Sequence, residues 1–266
     1  MSETDAKVPV ADGEKPQTQR CAGVYSFCCI PVGHIGLKIL DKQRKPVMAV
    51  MVVLKIVALV LSIVAACGAA TDSDTVKAVS WTHGEVKEFG GDIYIALNAY
   101  YLTGGNQSRL MKWEDEGCDA SEASQDSQDL CKNCKSAATG TVLAAIAGVI
   151  TKIPGISNCL TRGGVFFKMS DSPKSKFMAV LTGLIQPIVL LTSALSYGQY
   201  CYADLPDHIN GTDVDYSNGP GYVSVLIAIV LDIFVAIIHI ITPCPEGSEL
   251  YAQQMKSPVD DKGVDL

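Results

Sequence analysis

Apolar residues in this 266-residue chain are clumped rather than spread, and four clumps are long enough to cross a bilayer core of about 30 Å as helices. They cover about 47–69 (VMAVMVVLKIVALVLSIVAACGA), 137–156 (AATGTVLAAIAGVITKIPGI), 177–197 (FMAVLTGLIQPIVLLTSALSY) and 222–242 (YVSVLIAIVLDIFVAIIHIIT). The second has the shortest apolar run, because it carries Lys152 and closes on Pro154-Gly155. Gln186-Pro187 predicts a kink in the third. The polar stretch between the first two clumps contains DIYIALNAYYLTG, from Asp92 to Gly104, which is rich in β-branched and aromatic residues. TVKAVSW and EVKEF before it alternate apolar with polar, and RLMKWED follows it. The pattern predicts an all-α four-helix transmembrane bundle with a small antiparallel β-sheet of three or four strands in the first extracellular loop. Strands cannot face lipid, so the sheet is expected to stand above the bilayer.

Composition agrees with a membrane class. The chain is 48% hydrophobic and 18% charged, with mean hydropathy +0.24 and net charge −7. An acidic chain gives no support to nucleic-acid binding. The opening MSETDAKVPVADGEKPQTQR lacks the apolar core of a signal peptide. It is expected to be a disordered cytosolic tail, with the first span acting as an uncleaved signal anchor. The predicted organisation is a cytosolic N-terminal part over 1–45, a four-span domain over 46–243 with outer loops at 70–136 and 198–221, and a cytosolic tail over 244–266.

Charge sets the expected orientation. Lys38, Lys42, Arg44 and Lys45 precede the first span, and Arg162, Lys168, Lys174 and Lys176 lie between the second and third against Asp171. The stretch 70–136 holds twelve acids and six bases, and 198–221 holds Asp204, Asp207, Asp213 and Asp215 without a base. Both termini and the middle loop are therefore expected in the cytosol of a multi-pass plasma-membrane protein. Two N-glycosylation sequons, at Asn106 and Asn210, fall one in each outer loop.

That topology sorts the ten cysteines. Cys118, Cys131, Cys134 and Cys201 lie in outer loops, where an oxidising medium favours disulfides, and Cys67 lies at the outer end of the first span. Cys118–Cys131 with Cys134–Cys201 is the favoured pairing, and Cys118–Cys134 is close behind. A zinc site is disfavoured, since His83 and His208 lie away from these cysteines in sequence. Cys21, Cys28, Cys29, Cys159 and Cys244 are expected to be cytosolic, and juxtamembrane thiols of this kind are S-acylation candidates, Cys28 and Cys29 first. Segment 21–40 can also lie on the cytosolic leaflet.

Inside the spans, Gly140-x3-Ala144-x3-Gly148 predicts a packing face, within the bundle or between protomers. Lys55, Asp232 and His239 are ionisable groups at membrane depth. Counted at about 1.5 Å per residue, Lys55 lies about 13 Å and Asp232 about 15 Å from the cytosolic ends of their helices. The matching depths predict a Lys55–Asp232 pair, structural rather than part of an ion path.

Trp81 and then Trp113-x4-Cys118-x12-Cys131 in the first loop, together with four spans and cytosolic termini, resemble the claudin/peripheral-myelin-protein type of four-span superfamily. The family's G-L-W triplet is absent, the spacings are longer and a third cysteine is present. Within that group, the strand-forming proteins of the euglenoid pellicle are similar in length and in their acylatable cysteines. The resemblance implies a Cys118–Cys131 loop disulfide, with Trp81 and Trp113 anchoring the sheet at the membrane surface. It also implies lateral homo-oligomers, as strands or arrays, that organise the membrane or form adhesion and barrier contacts.

No P-loop, nucleophile elbow, dinucleotide fingerprint or H-E-x-x-H motif occurs, so neither an enzyme, a cofactor nor a metal is expected. Two other readings remain open. One is a channel or transporter subunit using Lys55, Asp232 and His239. The other is a quinone-linked disulfide oxidoreductase of the DsbB/VKOR kind using Cys131-x-x-Cys134. The partners expected are the lipid bilayer, further copies of the chain, and a cytoskeletal or scaffold protein at the cytosolic tails. The terminal Val264-Asp265-Leu266 loosely fits a PDZ-type groove.

Overall fold

The computed structural model describes residues 26–27, 30–31, 40, 43–87, 90–104, 107–114, 125–164, 173–209 and 212–243. Four long helices dominate it: α1 (Arg44–Cys67), α3 (Gln125–Gly163), α4 (Pro173–Tyr200) and α5 (Pro220–Ile241). Each is long and apolar enough to cross a bilayer, which suggests a multi-pass membrane protein. They pack as a ring in which α1 touches α3 and α5, and α4 touches the same two. Large apolar side chains such as Val53, Val60, Leu143, Ile153, Ile188 and Val230 are exposed on its outside. A belt of that kind suits hydrocarbon rather than water.

Helix α3 differs most from the sequence expectation. It begins at 125, inside the stretch expected to be loop, and continues past Pro154 to Gly163. Proline removes one amide donor and weakens its turn. Here the carbonyl of Thr151, in that turn, accepts a hydrogen bond from Gln186 Nε2 of α4. Helix α4 likewise continues through Pro187. The buried positions of α3 include Cys134, Ala138, Thr141, Ala145, Gly148, Lys152, Gly155, Cys159 and Arg162, which alternate by four and three residues. Spacing of this kind is the pattern that a left-handed bundle seam requires. Gly140 is exposed, Ala144 is half-buried and Gly148 is buried, so the three do not share that face equally. A Cβ at Gly148 would stand 2.5 Å from Leu190 Cδ2.

The sheet is larger than expected. Strands β3 (Thr82–Val86), β4 (Gly91–Ile95), β5 (Ala99–Gly104) and β6 (Gln107–Lys112) come from the first inter-helix stretch. Strands β7 (His208–Ile209) and β8 (Thr212–Asn218) come from the second. They form one antiparallel sheet in the order β6-β5-β4-β3-β8-β7. The segment TDVDYSN does alternate, with Val214 buried between exposed Asp213 and Asp215, but seven residues are too few for the period to stand out. The sequence TVKAVSW is no strand: its TVKAV belongs to helix α2 (Ser73–Val79). Asp72 caps that helix by accepting from the Thr75 N–H at 2.9 Å, and this bond holds the Asp72 carboxyl below its usual range. A separate hairpin, β1 (Ser26–Phe27) with β2 (Ile30–Pro31), precedes the bundle.

The inner face of the sheet rests on one end of the bundle. Ile93, Ile95 and Val214 share a core with Trp81, Trp113, Cys134, Tyr197, Cys201 and Val225. The junction to α5 is tight. Gly219 N–H donates to the Trp81 carbonyl at 2.9 Å, and a Cβ at Gly219 would lie 2.3 Å from the Ser80 carbonyl oxygen. That neighbour is backbone and cannot swing aside. Gly219→Ala is therefore expected to cost about 1–3 kcal/mol, read as a lower unfolding midpoint in detergent. An unchanged midpoint would contradict the close approach.

Candidate functional site

Lys55 and Asp232 lie together, but as part of a larger cluster. Lys55 Nζ of α1 donates to Asp232 Oδ1 of α5 at 2.9 Å, and Lys152 Nζ of α3 donates to Asp232 Oδ2. Lys55 also donates to Gln186 Oε1 of α4. All four side chains are 0–1% exposed. Each helix of the bundle thus supplies one member, and one carboxylate serves two ammonium groups. Ionisable groups at such depth are costly unless they satisfy one another. Every member here does so, which makes the cluster a clamp between helices. Lys152 was visible in the sequence as a charge in an apolar run, and only the fold shows that it shares Asp232. Gln186 carried no charge signal at all.

His239 lies on the same face of α5, one heptad beyond Asp232, and is also buried. Its Nε2 is 3.3 Å from Cys159 Sγ, and its Nδ1 is 3.0 Å from Arg162 Nη1. A guanidinium has no acceptor, so Nδ1 must accept and the ring proton sits on Nε2. Nε2–H then points at the sulfur. In this tautomer the imidazole does not draw the thiol's proton, so the pair is not an activated nucleophile. Arg162 also donates to the carbonyls of His239 and Thr242, at 3.1 and 2.9 Å, and so closes the end of α5. Cys159 is fully buried, which removes it from the thiols open to acylation.

At the opposite end, Cys134 of α3 and Cys201, just past α4, form a disulfide with an S–S distance of 2.04 Å. Cys131 is also disulfide-bonded, to a residue outside the described set. The C-x-x-C therefore sits on a helix, one turn apart, and its two sulfurs are not joined to each other. Free Cys67 is exposed near an open apolar groove between α1 and α3. Among the described residues no group of three or more His, Cys, Asp or Glu could hold a metal ion.

Trp81 and Trp113 are 0% and 2% exposed, so they do not meet a bilayer surface. Trp81 Nε1 donates to the Ala65 carbonyl of α1 at 3.1 Å, and its ring meets Tyr197 edge-on at a centroid distance of 5.0 Å. Trp113 Nε1 donates to the Leu97 carbonyl at 2.9 Å and its ring lies 5.3 Å from Tyr100. The indoles fix the sheet to the helices. Trp81→Phe keeps most of the apolar contact but loses the indole's hydrogen bond to the Ala65 carbonyl, which still accepts from the Gly68 N–H, and is expected to cost about 1 kcal/mol in thermal unfolding.

On the sheet, Tyr216 is pushed up to about 12 by desolvation, with the charge of Asp207 adding to the effect. Its folded value is raised, so the neutral form persists above the ordinary tyrosine range, and folding weakens as pH climbs from about 10 through 12. A spectrophotometric titration is expected to lose one late phenolate step in Tyr216→Phe, while that of Tyr100, also raised by desolvation, remains. Asn106, Asn210, Cys28, Cys29 and Cys118 lie outside the described residues. In sequence, however, Asn106 falls between β5 and β6 and Asn210 between β7 and β8.

The chain matches no protein-family model, and no curated protein matches it at a significant level.

Proposed function

We propose that this chain is a structural, multi-pass plasma-membrane protein of the claudin-like kind. It associates side by side with its own copies to organise the membrane or to form adhesion and barrier contacts. The observation that carries this reading is the single sheet built from both inter-helix stretches and fixed rigidly to one end of a closed four-helix bundle. Such a platform keeps its shape outside the bilayer and offers edges to neighbours in the membrane plane. The central cluster supports a structural role over a channel, since Lys55, Lys152, Gln186 and Asp232 are occupied with one another. The divided C-x-x-C gives little to the oxidoreductase reading.

In this proposal the sheet faces outward and both termini lie in the cytosol. Three features support it: Arg44, Arg162, Lys174 and Lys176 sit at or beside the helix ends away from the sheet, the acids 204, 207, 213 and 215 sit around the sheet, and the disulfide is at the sheet end. The direct test is reconstitution of purified protein into lipid bilayers and freeze-fracture imaging face-on. Ordered rows or lattices are the expected result. Dispersed single particles at every protein-to-lipid ratio would remove the proposal.

A further inference from the structure

The sheet ends at β6 on one side and at β7 on the other. Among the described residues no strand pairs with the outer side of either. Because the inner face rests on the helix ends, these edges point sideways. All five strand pairings are antiparallel, so the direction alternates at every step and β6 runs opposite to β7. A second copy displaced sideways by one sheet width therefore places its β7 antiparallel to the first copy's β6. That is the relation every pair inside the sheet already has.

Charge distinguishes the two edges. Strand β6 exposes Arg109 and Lys112 and contains no acid. Around β7, Asp204, Asp207 and Asp213 are exposed. Apposed β6 edges would bring like charges together, as would apposed β7 edges. The head-to-tail arrangement sets the bases of β6 against the acids around β7, and complementary charge of this kind suppresses wrong registers. Unpaired strand edges are templates for addition of another strand. A head-to-tail contact of this kind does not close on itself, so it builds an open row.

We propose that copies of this chain join head-to-tail through their sheet edges, β6 of one against β7 of the next, with Arg109 meeting the acids around β7. The proposal rests on the lateral-association reading above and gives it a contact. Both sequons border these edges, so a glycan on Asn106 or Asn210 would stand in the way.

The test uses full-length protein reconstituted in bilayers and imaged face-on, with R109E, D207K/D213K and the combination of all three changes. Wild-type rows are expected to be lost in R109E and in D207K/D213K and to return in the combined variant. All sites are exposed and D213K gives up an exposed Asp213–His208 pair, which contributes little in water, so unfolding midpoints should stay close to the wild type. Wild-type rows should also shorten as salt is raised, since exposed pairs are screened beyond about 10 Å at 0.1 M. Removal of N-linked glycans should leave rows intact or lengthen them. Rows that persist in both charge-reversed variants, that fail to return in the combination, that ignore salt or that need the glycans would overturn the edge contact alone. Absence of rows in the wild type would instead overturn lateral association itself.

Discussion

Asp232→Asn is expected to lower stability by about 3–5 kcal/mol, a large share of what holds a domain together. Both carboxylate oxygens are engaged, one by Lys55 and one by Lys152, and none of the three residues reaches solvent. The amide that replaces the carboxylate offers one acceptor and turns a donor toward the other ammonium. Two buried cations then lose their counter-charge. The measurement is the thermal unfolding midpoint in detergent, with yield at the cell surface as a second readout. A companion variant separates stability from transport: Lys55→Met, Lys152→Met and Asp232→Leu together should be close to wild type or better, because a packed apolar core can replace a buried ion cluster. A channel would lose its conductance in that variant, and a structural protein would keep its function. Wild-type stability of Asp232→Asn would end the clamp interpretation.

Cutting the Cys134–Cys201 disulfide should have the second large effect. The bond spans 67 residues of chain, including all of α4. In the chain-entropy picture, a loop of that size is worth about 4 kcal/mol. Cys134→Ser, Cys201→Ser and the double change are each expected to lose that amount and not to add, since any one of them opens the same loop. The loss should also be local at first. Cys201 sits just before Asp204–Asp207 and the β7–β8 hairpin, so the amides of Val214 and Ser217 should exchange faster while those of α1 keep their protection. Equal protection of the hairpin in wild type and Cys134→Ser would show that the core around Trp81, Tyr197 and Val225 holds the sheet without the bond.

The four helices were legible because apolar runs of that length have one common explanation, and each run maps onto a helix of the bundle. Their bounds were not. Hydropathy reports where the apolar side chains are, whereas a helix continues as long as its backbone bonds can be met. Thus α3 extends through the polar QDSQDLCKNCKS and beyond Pro154, where a side-chain amide from α4 supports the turn. Strand character in DIYIALNAYYLTG was also legible, though its division at Ala96–Asn98 into β4 and β5 carried a single turn-forming residue, Asn98, and no glycine or proline. Helix α2 reads as alternation in TVKAVSW, and the cap supplied by Asp72 decides for helix.

For the candidate site, sequence alone determined that Lys55 and Asp232 lie at similar depth and that cysteines gather around the polar stretches. Depth is a one-dimensional property, so it can be counted along a helix. Which helix faces turn inward is not. The tertiary structure brought Lys152 to the same carboxylate and Gln186 to Lys55, selected Cys134–Cys201 from the pairings the sequence left open, turned both indoles from the expected membrane surface into the core, and gathered strands from two distant stretches into one sheet. Each of these depends on the rotation and order of packed elements, which long-range contacts set and local residue patterns do not encode.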